Sequence, residues 1–445
     1  MYRAEERLQW SLMNAPQEMN DRREIPLTVT SRRRAMRLAY WNGALWATGN
    51  GLASTTLVVY LAMEFDSARL GLSIGLILAM PNLVGLLRLA APAMIGRLVD
   101  RKVFCMAAYL LSAIVLAGLP IIAAPGLLPS DTASLVALVV CWSVYHLLEY
   151  AGTVALWSWL GDLVPRRIRG RFIGVRQCFM IGGGICAMIA AGRFAWWWKD
   201  TLPEPVWWMA YAIPAVVGAG FMGLALVPLA MMPRVAAGKI VREGAGFRSM
   251  TAPFRDSRFL GLLVFGCWFS YFNGVTQSAQ YSYPKQVLGF GLLAILLMRI
   301  GMRLGQVAVS PTMGRLADRW GNRSVMACCL ALVAAGPLFF YLATPERRWL
   351  LIGAWVTWIA YAGLNVCLPN IMLKFSPHNS NTSYIAAYFA LTGLCYALST
   401  IAGGAIYDRY AETLGPVYYD YCFIFGWVTR SLGVLVLLAV IRRGD

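Results

Sequence analysis

The chain has 445 residues, of which 59% are apolar and only 13% are charged, and its formal net charge is +18. Soluble proteins carry about a quarter charged residues, so the composition excludes an ordinary soluble protein and predicts a membrane protein. The cations lie in short clusters between apolar runs, which is typical of membrane-protein loops and argues against nucleic acid as a partner.

Apolar windows long enough to cross a hydrocarbon layer of ~30 Å as helices follow one another along the chain. No apolar signal-peptide core precedes the first window, so we expect the first span to act as its own uncleaved insertion signal. We predict twelve spans, at 38–63, 70–91, 103–124, 133–160, 172–192, 206–232, 259–283, 287–309, 324–343, 349–373, 384–405 and 417–440.

Basic clusters alternate with cation-poor loops. Arginines crowd the segment before span 1, the loops after spans 2, 4 and 8, the linker after span 6 and the C-terminus, whereas Pro125–Asp131 holds no cation. Because cytoplasmic loops carry the excess of Lys and Arg, both termini are predicted to be cytoplasmic, which requires an even number of spans. We expect a monomeric, multi-pass protein of the cell (inner) membrane, in contact with the lipid bilayer.

The residues that commonly bind metals or catalyse reactions are sparse or scattered. The ten cysteines lie almost entirely in apolar stretches without a C-x-x-C pair, and the chain has only two histidines. No nucleophile–base constellation is evident in the loops between the spans. We therefore predict no metal site, no cofactor and no enzymatic activity.

The two halves of the chain repeat each other. Gly96–Arg101 reads GRLVDR and returns as GRLADR at Gly314–Arg319, and Asn50-Gly51 in span 1 resembles Asn273-Gly274 in span 7. Such repeats predict two parallel helical units with a central site between them. The predicted organisation is a basic N-terminal segment at 1–37, a six-helix bundle at 38–232, a cytoplasmic linker at 233–258 and a second six-helix bundle at 259–441.

These motifs resemble the loop signature Gly-x-x-x-Asp-Arg-x-Gly-x-Arg of the major facilitator superfamily, and the resemblance covers about residues 38–440. The second copy is complete, whereas the first continues Val103-Phe104 and lacks the second glycine. The resemblance implies an all-α integral membrane protein of twelve helices in two pseudo-symmetric six-helix bundles. It also implies a cytoplasmic gate; the alternative is that these charges only set the topology. The predicted gate residues are Gly96, Asp100, Arg101, Gly314, Asp318, Arg319 and Arg323.

Ionisable residues deep in a membrane are costly and indicate functional sites. Glu149 is the only acid that we place deep in the membrane, and His146 lies three residues before it on the same face of span 4. A buried carboxyl group near a cation can load and release a proton, so we predict that this pair couples transport to protons. The alternative is a static ion pair that holds two helices together.

The predicted cavity is net positive, because Arg299 and Arg303 form one stripe on span 8 and Arg430 lies in span 12. Guanidinium groups bind carboxylates, sulfonates and phosphates. The alternative is that one arginine neutralises Glu149 and another faces interfacial water. The family resemblance places spans 1, 4, 7 and 10 around the cavity, where interhelical hydrogen bonding is the alternative role for each polar residue. The predicted substrate-binding residues are Trp46, Asn50, Asn273, Gln277, Arg299, Arg303, Tyr361, Asn365 and Arg430.

Together these features predict a secondary active transporter, such as a proton symporter, that moves a small organic solute, for example an anion, by alternating access. One alternative is an exporter of multiple drugs or toxic compounds, although the Gly182-Gly183-Gly184 run of span 5 lacks the Gly-Pro pair of that group. A second alternative is a membrane receptor or lipid-handling protein that keeps the fold without transporting.

Overall fold

The computed structural model describes residues 28–65, 69–89, 100–124, 126–164, 169–234, 252–375 and 381–441, and these residues are almost entirely helical. Twelve helices, some interrupted, follow the order of the predicted spans. They are α1 (Val29–Leu52 and Thr55–Ala62), α2 (Leu70–Val84), α3 (Arg101–Ala117 and Leu119–Ala123), α4 (Asp131–Leu163), α5 (Arg169–Thr201), α6 (Met209–Leu224 and Leu226–Met231), α7 (Ser257–Gly274 and Gln277–Gln286), α8 (Leu292–Trp320), α9 (Asn322–Ala334 and Gly336–Leu342), α10 (Leu351–Thr357 and Tyr361–Phe375), α11 (Asn381–Leu414) and α12 (Pro416–Val440).

Ten of these helices are long and apolar enough to cross a membrane, within the described residues. The other two predicted spans correspond to α1 and α3, which are interrupted at Ala53 and Gly118. All twelve predicted spans therefore coincide with helices, and the all-α, twelve-helix prediction is confirmed.

Several helix boundaries differ from the predicted spans. α1 begins at Val29, capped by the Thr28 hydroxyl, so its first turns include arginines of the predicted basic N-terminal segment. α8 continues to Trp320, so Gly314–Arg319 is helical and the prediction of a loop there is wrong. The turn follows at Gly321, whose φ of 82° suits a glycine. Hydropathy marks the part of a helix that crosses the membrane, and helices continue beyond it into polar surroundings.

Each half of the chain packs as a bundle of its own. In the N-terminal half α1 packs against α5 and α6, and α3 packs against α4 and α6. In the C-terminal half α7 packs against α11 and α12, and α9 packs against α10 and α12. Most of the predicted linker, residues 235–251, lies outside the described residues.

The halves meet mainly where α2 packs against α11 and α5 packs against α8. Small residues allow α2 and α11 to approach closely, since a Cβ atom on Gly404 would clash with the carbonyl oxygen of Gly71, and one on Gly75 with that of Thr400. Helices in lipid have no hydrophobic driving force for association, so the close van der Waals packing that small residues allow stabilises their contact instead.

Among the residues that the structure describes, hydrogen bonds between the halves cluster at one end of the protein. We call this the closed end: the end that carries Glu64, Gly71, Gln286 and Asp408. Tyr60 donates to the carbonyl oxygen of Phe290 (3.2 Å), and Lys285 contacts Glu64 (2.7 Å). We call the opposite end, which carries Asp100 and Arg234, the basic end.

Candidate functional site

A cavity of about 360 Å³ lies between the halves, beneath the closed end. α1 contributes Thr56 and Tyr60 to its wall, and helices α7 to α11 contribute the rest. The lining is polar and aromatic, and it contains no Asp or Glu side chain. The C-terminal half supplies Asn273, Gln277, Gln280, Tyr281, Pro284, Ile295, Arg299, Met302, Arg303, Gln306, Phe340, Trp355, Trp358, Tyr361, Asn365 and Tyr396.

The interruption of α7 presents polar groups to this cavity. The helix stops at Gly274 and resumes at Gln277, which leaves the carbonyl oxygen of Asn273 without a helical partner. That oxygen accepts hydrogen bonds from the Thr276 hydroxyl (3.3 Å) and the Gln277 amide (3.2 Å). Broken helices at the middle of a membrane are tolerated where they line a cavity, and transporters use them to bind solutes.

Two arginines on one face of α8 make the cavity positive. Arg299 donates to the hydroxyl of Thr56 on α1 and to the hydroxyl of Tyr281 (3.4 Å). Arg303 reaches the side-chain oxygen of Gln306 (3.5 Å). Neither guanidinium forms an ion pair with an acid in the described part of the chain, so the interpretation that one of them neutralises Glu149 is not supported. Both retain N–H donors that a ligand could use.

Arg430 lies outside the cavity lining, contrary to its predicted contact with substrate. Its side chain is 0% exposed, and it donates to the Thr276 hydroxyl (2.6 Å) and to the carbonyl oxygen of Asn273 (3.4 Å). Arg430 therefore hydrogen-bonds to the residues on both sides of the α7 interruption. Its Nε and Nη1 atoms have no hydrogen-bond partner among the described residues.

The polar residues predicted on α1 and α4 form a separate cluster in the N-terminal half. The Trp46 indole N–H points at Glu149 Oε1 (3.4 Å), and His146 Nδ1 lies 3.6 Å from Glu149 Oε2. Tyr145 donates to the Asn50 side-chain oxygen (2.7 Å). Trp46 therefore contacts Glu149 of the predicted proton-coupling pair and Asn50 contacts Tyr145, and neither residue lines the cavity. The structure brings His146 and Glu149 together, and their proton coupling stays a prediction.

The predicted gate residues behave differently in the two halves. Asp100 caps α3, accepting from the N–H groups of Lys102 (2.9 Å) and Val103 (3.2 Å), and it pairs with Arg234 at the end of α6 (3.4 Å). These contacts lie within one bundle. The buried Arg101 is the next residue of the chain, and Gly96 lies outside the described residues.

In the second copy of the motif, Asp318 and Arg319 are exposed at the end of α8, on the same helix as Gly314. Arg323 donates to the carbonyl oxygen of Leu438, which ties α9 to α12 inside the C-terminal half. A gate between the halves at the basic end therefore stays a prediction for a conformation other than this one.

Sequence reasoning missed most of the aromatic wall of the cavity. Tyr281, Trp358 and Tyr396 lie in the cavity, yet in the sequence they look like the many interfacial aromatic residues of the chain. Gln306 could have been found, since it continues the helical stripe of Arg299 and Arg303 and donates to the carbonyl oxygen of Trp358 (3.0 Å).

Residues 300–443 match the family model described as Major Facilitator Superfamily. The fold is similar to that of the nucleoside transporter NupG, with a TM-score of 0.66 at 15% identity over 93% of this chain and 99% of that chain. For a D-xylose-proton symporter the TM-score is 0.69 at 14% identity, with the same coverage.

For the human organic anion transporter MFSD10 the TM-score is 0.54 at 13% identity, over 92% of this chain and 99% of that chain. At these identities the likeness establishes the fold alone. A comparison with curated protein sequences gives no match.

Proposed function

We propose that this chain, a major facilitator superfamily protein by its fold and its matched C-terminal segment, is a secondary active transporter of small organic anions that carry an aromatic or otherwise flat apolar body. The observation that carries the proposal is the cavity between the halves, in which Arg299 and Arg303 are not matched by any lining acid.

The charge of the cavity supports an anionic solute. A guanidinium presents a rigid fork of donors that fits a carboxylate, sulfonate or phosphate with two parallel hydrogen bonds. An anion that joins two cations without an acidic partner in the cavity lining gains Coulomb energy that a neutral solute does not. A cationic amphipath would instead be repelled, which disfavours an exporter of cationic drugs.

The walls support a flat apolar body. Phe340, Trp355 and Trp358 line the cavity, together with the Tyr281, Tyr361 and Tyr396 rings. The cavity volume of about 360 Å³ lies within the range of small-molecule pockets, roughly 300–1,000 Å³. Asn273, Gln277 and Asn365 add amide groups that could orient hydroxyl or carbonyl groups of the solute.

The arrangement of the halves supports alternating access. The cavity lies at the interface of two bundles that are joined by hydrogen bonds at the closed end, and rocking of one bundle against the other would expose the same site to the opposite side. The likeness of the fold to an organic anion transporter is consistent with this class of solute.

Proton coupling is the finer part of the proposal. Glu149 is paired with His146 and with the Trp46 indole, and no lysine or arginine forms an ion pair with it among the described residues. An acid that lacks a permanent cationic partner can change protonation during a transport cycle. We propose that this pair takes up the coupling proton, separately from the arginines that bind the anion.

The test begins with purified protein and a panel of aromatic carboxylates, aromatic sulfonates, nucleosides and sugars. A ligand that binds only the folded protein raises its apparent stability, and the panel members that do so are then tested for uptake into liposomes. We expect the anions to bind and to be transported. Binding and flux of the neutral solutes without the anions would refute the anion assignment, and binding without any flux would favour the receptor alternative.

Variants of the two arginines locate the site. Each charged hydrogen bond contributes about 1.5–3 kcal/mol, so Arg299→Gln or Arg303→Gln should weaken anion binding by about 10- to 100-fold. Arg348→Gln is the matched control, because Arg348 is exposed in the loop before α10. Equal affinities for all variants would show that the anion binds elsewhere.

A further inference from the structure

Three charged side chains meet at the closed end, outside the central cavity. Lys199 of α5 and Lys285 of α7 both donate to the same oxygen of Glu64, at 2.8 and 2.7 Å. Lys285 also donates to the carbonyl oxygen of Tyr60 (3.3 Å). Glu64 and Lys199 belong to the N-terminal half and Lys285 to the C-terminal half, so this carboxylate links the two halves.

The cluster carries one more positive than negative charge. Aromatic rings compensate part of it, since Lys199 lies over Trp207 (4.5 Å) and Tyr211 (5.0 Å), and Lys285 lies over Tyr60 (5.3 Å). Each ammonium group has three donors, and the hydrogen bonds of the described residues do not use them all. The two ammonium groups can therefore donate hydrogen bonds to an incoming anionic group.

Space for such a group adjoins both lysines. A second cavity of about 570 Å³ is lined by Lys199, Lys285, Asp200 and Tyr60, with Trp196, Trp207, Tyr211 and Phe290 forming its aromatic walls. Tyr60 lines both this cavity and the central one, so the two sites are neighbours on either side of one tyrosine. Both combine two cations with aromatic rings, although the second cavity also contains the Asp200 carboxylate, whereas no acid lines the central one.

We propose that the second cavity is an anion site on the closed side of the transporter, and that the anionic group of the solute displaces Glu64 from Lys285 there. The exchange replaces one carboxylate by another and leaves the charge balance of the lysines satisfied. It breaks the ion pair between the halves, so anion binding on this side releases the closed end. This inference rests on the proposed transport of organic anions.

Glu64 is charged under ordinary conditions. Burial favours its neutral form, but the ammonium groups of Lys285 and Lys199 outweigh this, so the pKa of Glu64 lies below its ordinary value of 4.5. The groups that face it are these two lysines and Tyr211 of α6. An incoming anion therefore competes with a carboxylate, and protonation of Glu64 is not required.

The binding test removes the central site first. In an Arg299→Gln/Arg303→Gln double variant in nanodiscs of phosphatidylcholine, benzoate and inorganic phosphate are titrated by calorimetry. We expect a residual site, weakened at least tenfold by adding Lys199→Met and Lys285→Met. Loss of all binding in the double variant, or residual binding that does not depend on the lysines, would overturn the second site.

A lipid headgroup has the same chemistry as the anion, so it is tested in parallel. Nanodiscs that contain phosphatidylglycerol should leave benzoate binding to the second site within about twofold of its strength in phosphatidylcholine. Blocked benzoate binding, with a lysine-dependent preference for phosphatidylglycerol, would assign the cavity to lipid and overturn the proposal.

A cysteine reporter between the halves tests whether the ion pair between Glu64 and Lys285 holds the closed end together. Ser278 is 0% exposed and donates to the carbonyl oxygen of Gly71 (3.4 Å), so a Ser278→Cys side chain reacts with maleimide only when the closed end opens. The exposed Cys178, Cys186 and Cys328 are first replaced by serine. We expect Glu64→Gln to raise the labelling rate severalfold, and benzoate to raise it in the protein that retains Glu64.

Glu204→Gln is the matched control, since Glu204 is exposed at the same end of the protein. Equal labelling of the Glu64→Gln and Glu204→Gln proteins would show that the Glu64 ion pair does not hold the closed end together, and would refute this part of the proposal. These outcomes differ from failure of the proposed function: if native protein transports anions while the double arginine variant binds none, only the second site is refuted. If native protein neither binds nor transports anions, the proposed function itself fails.

Discussion

Asp408 of α11 joins the halves at the closed end in a second way. Its two carboxylate oxygens accept hydrogen bonds from the backbone N–H groups of Gly71 (2.6 Å) and Leu72 (2.8 Å), at the start of α2. Arg69, which precedes that helix, provides no side-chain cap. The cap of α2 therefore comes from the other half of the protein, and we predict that Asp408→Asn weakens the closed conformation.

The structure allows the size of this effect to be estimated. Hydrogen bonds to a charged group contribute about 1.5–3 kcal/mol, and an anion at a helix N-terminus contributes about 0.3–1 kcal/mol beyond them. Asparagine keeps one acceptor oxygen and loses the charge, so the closed form should lose about 1–2 kcal/mol relative to a form in which the halves separate. A loss of this size lowers the ratio of closed to open protein by roughly 5- to 30-fold.

The Ser278→Cys reporter measures this ratio through its labelling rate. We expect Asp408→Asn to raise the rate by about that factor if opening is fast compared with the reaction. Glu412→Gln is the control, because Glu412 is exposed one turn further along α11. A rate for Asp408→Asn within twofold of the Glu412→Gln rate would show that the packing of α2 against α11 holds the closed end without this cap.

Three further predictions concern the fold and the pH dependence. Gly404→Ala should destabilise the closed form and raise reporter labelling, because the new Cβ meets backbone, whereas Gly220→Ala, with nothing within 4 Å, should be neutral in a thermal-unfolding assay. Glu149→Gln should abolish accumulation driven by a pH gradient while leaving counterflow of the anion, and gradient-driven uptake by this variant would refute proton coupling. The ion pairs of Glu64 stabilise the closed end above the ordinary glutamate pKa and are lost as the pH falls through its lowered pKa. The labelling rate is divided at each pH by that of a freely exposed cysteine, because the reactive thiolate fraction itself rises with pH. This ratio should be flat from about pH 5 to 8 and rise only at more acidic pH; a rise near pH 6.5 would refute the reasoning.

The amino-acid sequence determined the architecture. Apolar windows, alternating basic loops and the repeated Gly-Arg-Leu-x-Asp-Arg motif were sufficient for a twelve-helix prediction, since a membrane permits few solutions for an apolar chain. Helical periodicity also placed Arg299 and Arg303 on one wall, because residues four apart share a face. The Asn50-Gly51 and Asn273-Gly274 repeat supported two related halves, but it did not predict the interruptions of α1 and α7 that the structure shows shortly after these positions.

Periodicity identifies the face that a residue occupies and not the helix that packs against that face. Arg430 looked like a ligand of the substrate, but the packing of α12 directs it to the break in α7. Glu64 lies 135 positions from Lys199 and 221 from Lys285, and no local pattern connects them. The sequence thus determined the helices, their repeat and the cationic stripe of α8. Only the tertiary structure decided which groups meet between the halves. The position of one bundle relative to the other depends on close backbone contacts, such as that between Gly71 and Gly404, which helical periodicity does not reveal.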